Sequence, residues 1–154
     1  MPGIEILGRG VFVSRGKMLV CHGRGASNVY LPGGHVEFGE GAETAVCREI
    51  QEELGKTSRV KRFLGCVEHT FREKGRKHVE LNLVFEVEID GLDAAREAKS
   101  EEGHLDFQWM PLKDLPRSNF EPACLRPLLA AWRRRSGAPD WASSIRPESG
   151  LRAF

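Results

Sequence analysis

Between Gly33 and Lys56 the chain reads GGHVEFGEGAETAVCREIQEELGK, which sets Glu40, Glu49, Glu52 and Glu53 behind a pair of glycines and around one arginine, Arg48. Like charges three and four residues apart repel on a helix and weaken it, so something must offset the repulsion. From about Gly41 to Leu54, Ala42, Val46, Ile50 and Leu54 recur every fourth residue, the spacing of one helical face, and Gly55 follows as a natural C-cap. Glu49, Glu52 and Glu53 then fall within a sector of about 100° beside the apolar stripe. The helix is anchored on one side and presents converging carboxylates on the next. Hard divalent cations take oxygen ligands, and Mg²⁺ is usually shared between a few carboxylates, water and substrate phosphates. A bound cation would offset the repulsion. The plain alternative is an acidic, solvent-facing helix, since glutamate favours helices and charge clusters are commonly just solvated.

The full pattern decides between the two. Gly34 is followed by five residues, Glu40, seven residues, Arg48-Glu49-Ile50, Gln51, Glu52-Glu53, Leu54 and Gly55. This resembles the Nudix box, the signature of the Nudix hydrolases. With seven specified positions at roughly 7% usage each, chance agreement at a given start is on the order of 10⁻⁸. One departure is Lys56, which stands where the box has an aliphatic residue; it lies past the helix cap and bears on local packing, not on metal chemistry.

The resemblance implies an α+β fold, the Nudix-type α/β/α sandwich with a mixed β-sheet, and the hydrolysis of a nucleoside diphosphate linked to another group, by water attack on phosphorus. It implies Mg²⁺ as cofactor, with Mn²⁺ as an alternative. Glu52 and Glu53 map onto the principal metal ligands of the family, Glu49 onto a further ligand or the base that orients water, and the Gly33 carbonyl onto a backbone ligand. Arg48 and Glu40 match the pair that holds the loop on the helix, beside Gly34, and aims the carboxylates. Members often supply one more glutamate from outside the box. Here KSEEGHLDFQW offers Glu101 and Glu102, with Glu102 preferred and Glu37 a weaker candidate.

The elements that must position these groups are legible as patterns. Ile4 to Ser14 and Lys17 to His22 are β-rich around Arg15-Gly16, which predicts a first hairpin. A short strand at Val29 to Leu31 should lead into Pro32-Gly33-Gly34 as a loop. Val60 to Phe71 reads as a strand and Arg72 to Lys77 as a turn. HVELNLVFEVEI then puts Val79, Leu81, Leu83, Phe85, Val87 and Ile89 on one face and Glu80, Asn82, Glu86 and Glu88 on the other, a half-buried strand. LDFQWMP predicts a strand ending at Pro111. Glu121 to Arg135 predicts an amphipathic helix with Leu125, Leu128, Leu129 and Trp132 inward, closed by the solvated Arg133, Arg134 and Arg135. Ser136 to Phe154 is expected to be an irregular tail, with Trp141 a candidate to dock.

At 154 residues the chain fits one domain, 1–154, and its formal charge of +1 argues against nucleic acid or an acidic membrane as a partner. No run of about 18 apolar residues and no export signal is seen. Cys21, Cys47, Cys66 and Cys124 form no CxxC pair and read as reduced, mostly buried thiols of a cytoplasmic protein.

Substrate contacts are harder to read. Asn119, ahead of the last helix, resembles an asparagine that some family members offer to a purine edge; as an alternative it caps that helix. Phe120 and Trp109 are candidates for stacking or core. His69, His78 and Asn82 are candidates for ribose or phosphate, and Arg72, Lys74, Arg76 and Lys77 crowd the neighbouring turn. The expected partner is a small nucleotide, and a homodimer fits the family. The preferred function is a pyrophosphohydrolase of a nucleotide sugar or ADP-ribose type substrate. The alternatives are a hydrolase of oxidised nucleoside triphosphates, an RNA 5′ pyrophosphohydrolase and a non-catalytic nucleotide sensor.

Overall fold

A computed structural model of the chain describes residues 3–134 and 139–143. In order, the elements are β1 (Glu5–Val11), β2 (Val13–Ser14), β3 (Lys17–Gly23), β4 (Gly33–His35), α1 (Ala42–Leu54), β5 (Ser58–Glu73), β6 (Arg76–Ile89), β7 (Leu105–Pro111), a 3₁₀ turn (Leu115–Arg117), α2 (Leu125–Arg134) and β8 (Asp140–Ser143). Five strands form one sheet in the order β4-β1-β6-β5-β8, and β2-β3-β7 form a second. β1 is parallel to β6 and β5 is parallel to β8, while β1 with β4 and β5 with β6 are antiparallel, so the large sheet is mixed.

The expected first hairpin is smaller than its β-rich flanks. Only Val13 and Ser14 pair with Met18 and Lys17, because the chain leaves the large sheet at Phe12 and enters the small one. The positive φ angles of Arg15 and Gly16, and of Lys74 and Gly75, suit tight two-residue turns that follow the twist of the strands. The predicted strand at Val29 to Leu31 is instead a pair of single bridges, Cys21 to Tyr30 and Val29 to Phe120. The segment expected to be a loop supplies a strand, because Gly33, Gly34 and His35 pair with Arg9, Gly8 and Leu7.

Helix α1 matches its pattern. Ala45, Val46, Ile50 and Leu54 are buried, and Gly55 caps the helix in the left-handed conformation with its N–H on the Gln51 carbonyl. Val46, Ile50 and Leu54 pack against Phe85, Val87 and Ile89 of β6 and Leu19 of β3. Burial of such a side chain contributes roughly 1.5–3 kcal/mol, which fixes the helix on the sheet. On the other face, Leu125, Leu129 and Trp132 of α2 pack with Val67, Val84, Val20 and Met18. The half-buried reading of β6 is therefore corrected. Asn82 and Val84, on the face expected to be polar, are 2% and 0% exposed, because α2 and the small sheet cover that side too.

Helix α2 begins at Leu125, later than expected, and the side chains at its C-terminal arginines fall outside the described residues. Within the supposedly irregular tail, Asp140–Ser143 forms β8, with Trp141 paired through its backbone to Cys66; the Trp141 ring lies outside the described residues. Of the cysteines only Cys21 is buried; Cys47, Cys66 and Cys124 are half-buried. No described helix is long and apolar enough to cross a membrane.

Candidate active site

The strand β4 and the start of α1 are drawn together by Arg48. Its Nε and Nη2 donate to the two Glu40 oxygens at 2.9 and 3.1 Å, and Nη2 also donates to the His35 carbonyl at 2.9 Å. Nη1 donates to Glu49 at 3.1 Å and to Glu52 at 3.2 Å. One guanidinium thus ties the loop to the helix and neutralises part of the acidic face, which answers some of the repulsion before any cation is considered. The bonds from Arg48 hold the Glu40 carboxyl below the usual carboxylate range.

Two glycines shape the acid cluster. Gly33 has φ +122, and a Cβ there would lie 2.1 Å from the Gly8 carbonyl oxygen, so only glycine lets β4 lie on β1. At Gly34 a Cβ would fall 2.5 Å from the carboxyl carbon of Glu49. The absent side chain is where the Glu49 carboxylate rests.

Glu49 and Glu53, one turn apart on α1, line a cleft of about 760 Å³ together with Gly33, Gly34 and Glu102. Glu53 is 4% exposed and accepts a 3.2 Å hydrogen bond from the Gly33 N–H. Burial pushes its pKa up to about 8; the Gly33 N–H and Arg9 oppose the rise, and the charges of Glu49 and Glu102 add to it. A buried carboxyl with two further carboxylates beside it is short of positive charge. This all-oxygen set fits a hard divalent cation in its chemistry. No three described His, Cys, Asp or Glu side chains stand close enough, as placed, to hold a metal ion. Arg48 occupies part of the acidic face, so ligation requires side-chain movement.

The remaining candidates divide. Glu102 lines the cleft and pairs with His104 at 3.3 Å, whereas Glu101 is exposed and lies against Gly55, joined to Glu53 only through its backbone N–H. Glu52 is half-exposed, pairs with Arg48 and is not part of the cleft lining. Glu37 is exposed. The Gly33 carbonyl, expected to face a metal, accepts from Arg9 Nη1 at 2.8 Å. His69 and Asn82 line the cleft. Asn119 does not: it is exposed, and α2 starts too late for it to be that helix's cap. Phe120 is fully buried in the core, and Trp109 packs on the α1 side with its indole N–H on the Arg96 carbonyl. His78 bonds Glu5 at 2.9 Å and stacks on Phe71. The basic side chains of the turn, Arg72, Lys74, Arg76 and Lys77, are exposed and outside the lining, whereas Glu73 of the same turn lines the cleft.

The family model described as NUDIX domain matches residues 5–132. The chain belongs to the Nudix hydrolase family. Nudix members cleave phosphoric anhydride bonds, and the relatives found are named accordingly. The ADP-ribose pyrophosphatase of Methanocaldococcus jannaschii is 40% identical over 93 residues, 59% of this chain and 50% of that protein. The chain therefore spans half the length of that relative. The 8-oxo-dGTP diphosphatase of Escherichia coli is 31% identical over 109 residues, 71% of this chain and 77% of that protein. Among solved structures, the MutT protein from Methanosarcina mazei superimposes with a TM-score of 0.64 at 22% identity, covering 86% of this chain and 95% of that one. That likeness supports the Nudix fold.

Several lining residues escaped the sequence reading, Arg9 and Glu80 among them. Arg9 lies between Leu7 and Val11 on the inward face of β1, and its guanidinium sits 5.5 Å from the centre of the Tyr30 ring. Its signal was a charged residue at an inward position of an apolar strand. Glu80 also lines the cleft, on the face of β6 that was expected to meet solvent.

Proposed function

We propose that this Nudix chain is a Mg²⁺-dependent pyrophosphohydrolase acting on a nucleoside diphosphate linked to another moiety, of the nucleotide-sugar or ADP-ribose type. The observation that carries the reading is the buried Glu53, with Glu49 and Glu102 on the walls of the same cleft. A bound Mg²⁺ supplies charge neutralisation at the pyrophosphate oxygens. Glu49, Glu53 and, after release from Arg48, Glu52 are the residues that would hold it. The Gly33 N–H keeps Glu53 in place, and Arg48 keeps Glu49 turned over Gly34. Glu102 is suited to orient the attacking water and take its proton, while the water oxygen bonds to phosphorus and the bridging oxygen leaves. Arg9 is the one lysine or arginine among the described lining residues and meets the phosphate charge.

The 40% identity to an ADP-ribose pyrophosphatase supports the diphosphate-linked class. A second reading, hydrolysis of oxidised nucleoside triphosphates, is supported by the longer coverage of the 8-oxo-dGTP diphosphatase. Chromatographic product analysis with Mg²⁺ separates them. The panel holds ADP-ribose, nucleotide sugars, and normal and 8-oxo nucleoside triphosphates, with Glu53→Gln as control. Turnover of one class, lost in the variant, is expected; folded, metal-supplemented protein that turns over none of them would refute the reading.

A further inference from the structure

A chain of hydrogen bonds leaves the acid cluster and crosses the floor of the cleft. The Gly33 N–H donates to Glu53, Arg9 Nη1 donates to the Gly33 carbonyl, Arg9 Nε donates to Asn82 Oδ1 at 3.2 Å, and Asn82 Nδ2 donates to Glu80 Oε2 at 3.2 Å. Asn82 is 2% exposed and sits between a guanidinium that can only donate and a carboxylate that can only accept. Its amide therefore has one orientation. A buried amide held at both ends fixes the carboxylate it supports.

Glu80 occupies the place in the cleft where the chemistry changes. On one side Arg9 ends the phosphate-binding part of the floor. On the other side lie His69, paired with Glu80 across β5 and β6, and Phe71, whose ring stacks on His69 at 5.2 Å. Glu5, opposite Glu80 on β1, already accepts from His35 at 2.8 Å and His78 at 2.9 Å. Glu80 accepts only from Asn82 among the described residues, which leaves one oxygen and spare lone pairs toward the cleft. An acceptor of this kind takes two adjacent donors and repels anions. It matches the vicinal hydroxyls of a ribose, or the adjacent N1–H and N2–H groups of a guanine edge.

We propose that Glu80, held by Asn82, is the specificity-determining residue that reads the uncharged end of the substrate by accepting a pair of adjacent hydrogen-bond donors. The direction of the substrate, phosphates toward Glu53 and its uncharged end toward Glu80, rests on the pyrophosphohydrolase reading. The recognition itself is measured by binding, separately from turnover.

Calorimetry with Mg²⁺ compares wild type with Glu80→Gln, which keeps the size of the side chain and removes one acceptor oxygen. The probes are GMP against IMP, which lacks the N2 amino group, and ribose 5-phosphate against 2-deoxyribose 5-phosphate, which lacks one hydroxyl. In one of the two pairs wild type is expected to prefer the donor-rich probe by about 10- to 100-fold, as for a hydrogen bond to a charged group, with the preference falling to about twofold or less in the variant. The pair that responds identifies the donors. Glu88→Gln, at the exposed Glu88–Arg59 pair on the far end of β6, is expected to keep the wild-type preference. An unchanged preference in Glu80→Gln overturns the assignment, as does a wild type with no preference in either pair or no measurable affinity for the probes. A wild type that discriminates but turns over no pyrophosphate leaves Glu80 standing and refutes the catalytic reading instead.

Discussion

Glu53→Gln should change how the metal-free protein responds to pH, and the size of the change follows from the burial of this one carboxyl. In the unfolded chain it titrates near 4.5, and in the fold burial lifts it to about 8. Between those values the native state holds a proton that the unfolded state has lost, so native stability falls as pH rises, at about 1.4 kcal/mol per pH unit. The contribution is fully present below about pH 4.5 and gone above about pH 8, a ceiling on the order of 5 kcal/mol against total stabilities of roughly 5–15 kcal/mol. Glutamine keeps an oxygen for the Gly33 N–H and does not titrate. Denaturant unfolding of both proteins in a chelator, at intervals from about pH 5 to about pH 9, should therefore show the variant gaining on wild type by several kcal/mol. Saturating Mg²⁺ should narrow that gap at the alkaline end, because a cation at a hundredfold its dissociation constant adds about 2.7 kcal/mol to the protein that binds it. Parallel stability curves for the two proteins in chelator would refute the reasoning, since they would mean that Glu53 is not held protonated by its surroundings.

Other substitutions test the positioning of the same groups. Gly34→Ala puts a methyl 2.5 Å from the Glu49 carboxyl carbon, and metal affinity measured by titration should fall about 10- to 100-fold while circular dichroism stays native. Glu102→Gln should lower kcat by about 10²- to 10⁴-fold, and Glu101→Gln, whose side chain lies outside the cleft, should stay close to wild type; equal losses would remove Glu102 from the site. Ile50→Ala empties a fully buried position between α1 and β6, and denaturant unfolding should show a loss of about 2–5 kcal/mol.

Much of the acid cluster was legible in one dimension because a helix turns spacing into direction. The interval from Glu49 to Glu53 puts both on one face, and Val46, Ile50 and Leu54 state which side of that face meets the sheet. The family signature, the α+β class, the long β5 and β6 pair and the strand from Leu105 to Pro111 were readable for the same local reasons. The readings that failed depended on what lies across the chain. Gly33 and Gly34 look like turn residues until β1 is beside them, when the lack of side chains makes them the strand that fits. Asn82 looks solvent-facing until α2 and the small sheet cover it.

The sequence by itself determined the acidic helix, its apolar face, its glycine cap and the family to which they belong, since each rests on residues within a few turns of one another. Only the tertiary structure decided that Glu53 is buried and raised in pKa, that Glu102 rather than Glu101 faces the cleft, and that Arg9, Asn82 and Glu80 form one hydrogen-bonded row. Apart from the Asn82–Glu80 bond, those facts depend on contacts between residues 20 to 73 positions apart, whose distances are set by sheet pairing and core packing, and no local periodicity encodes them.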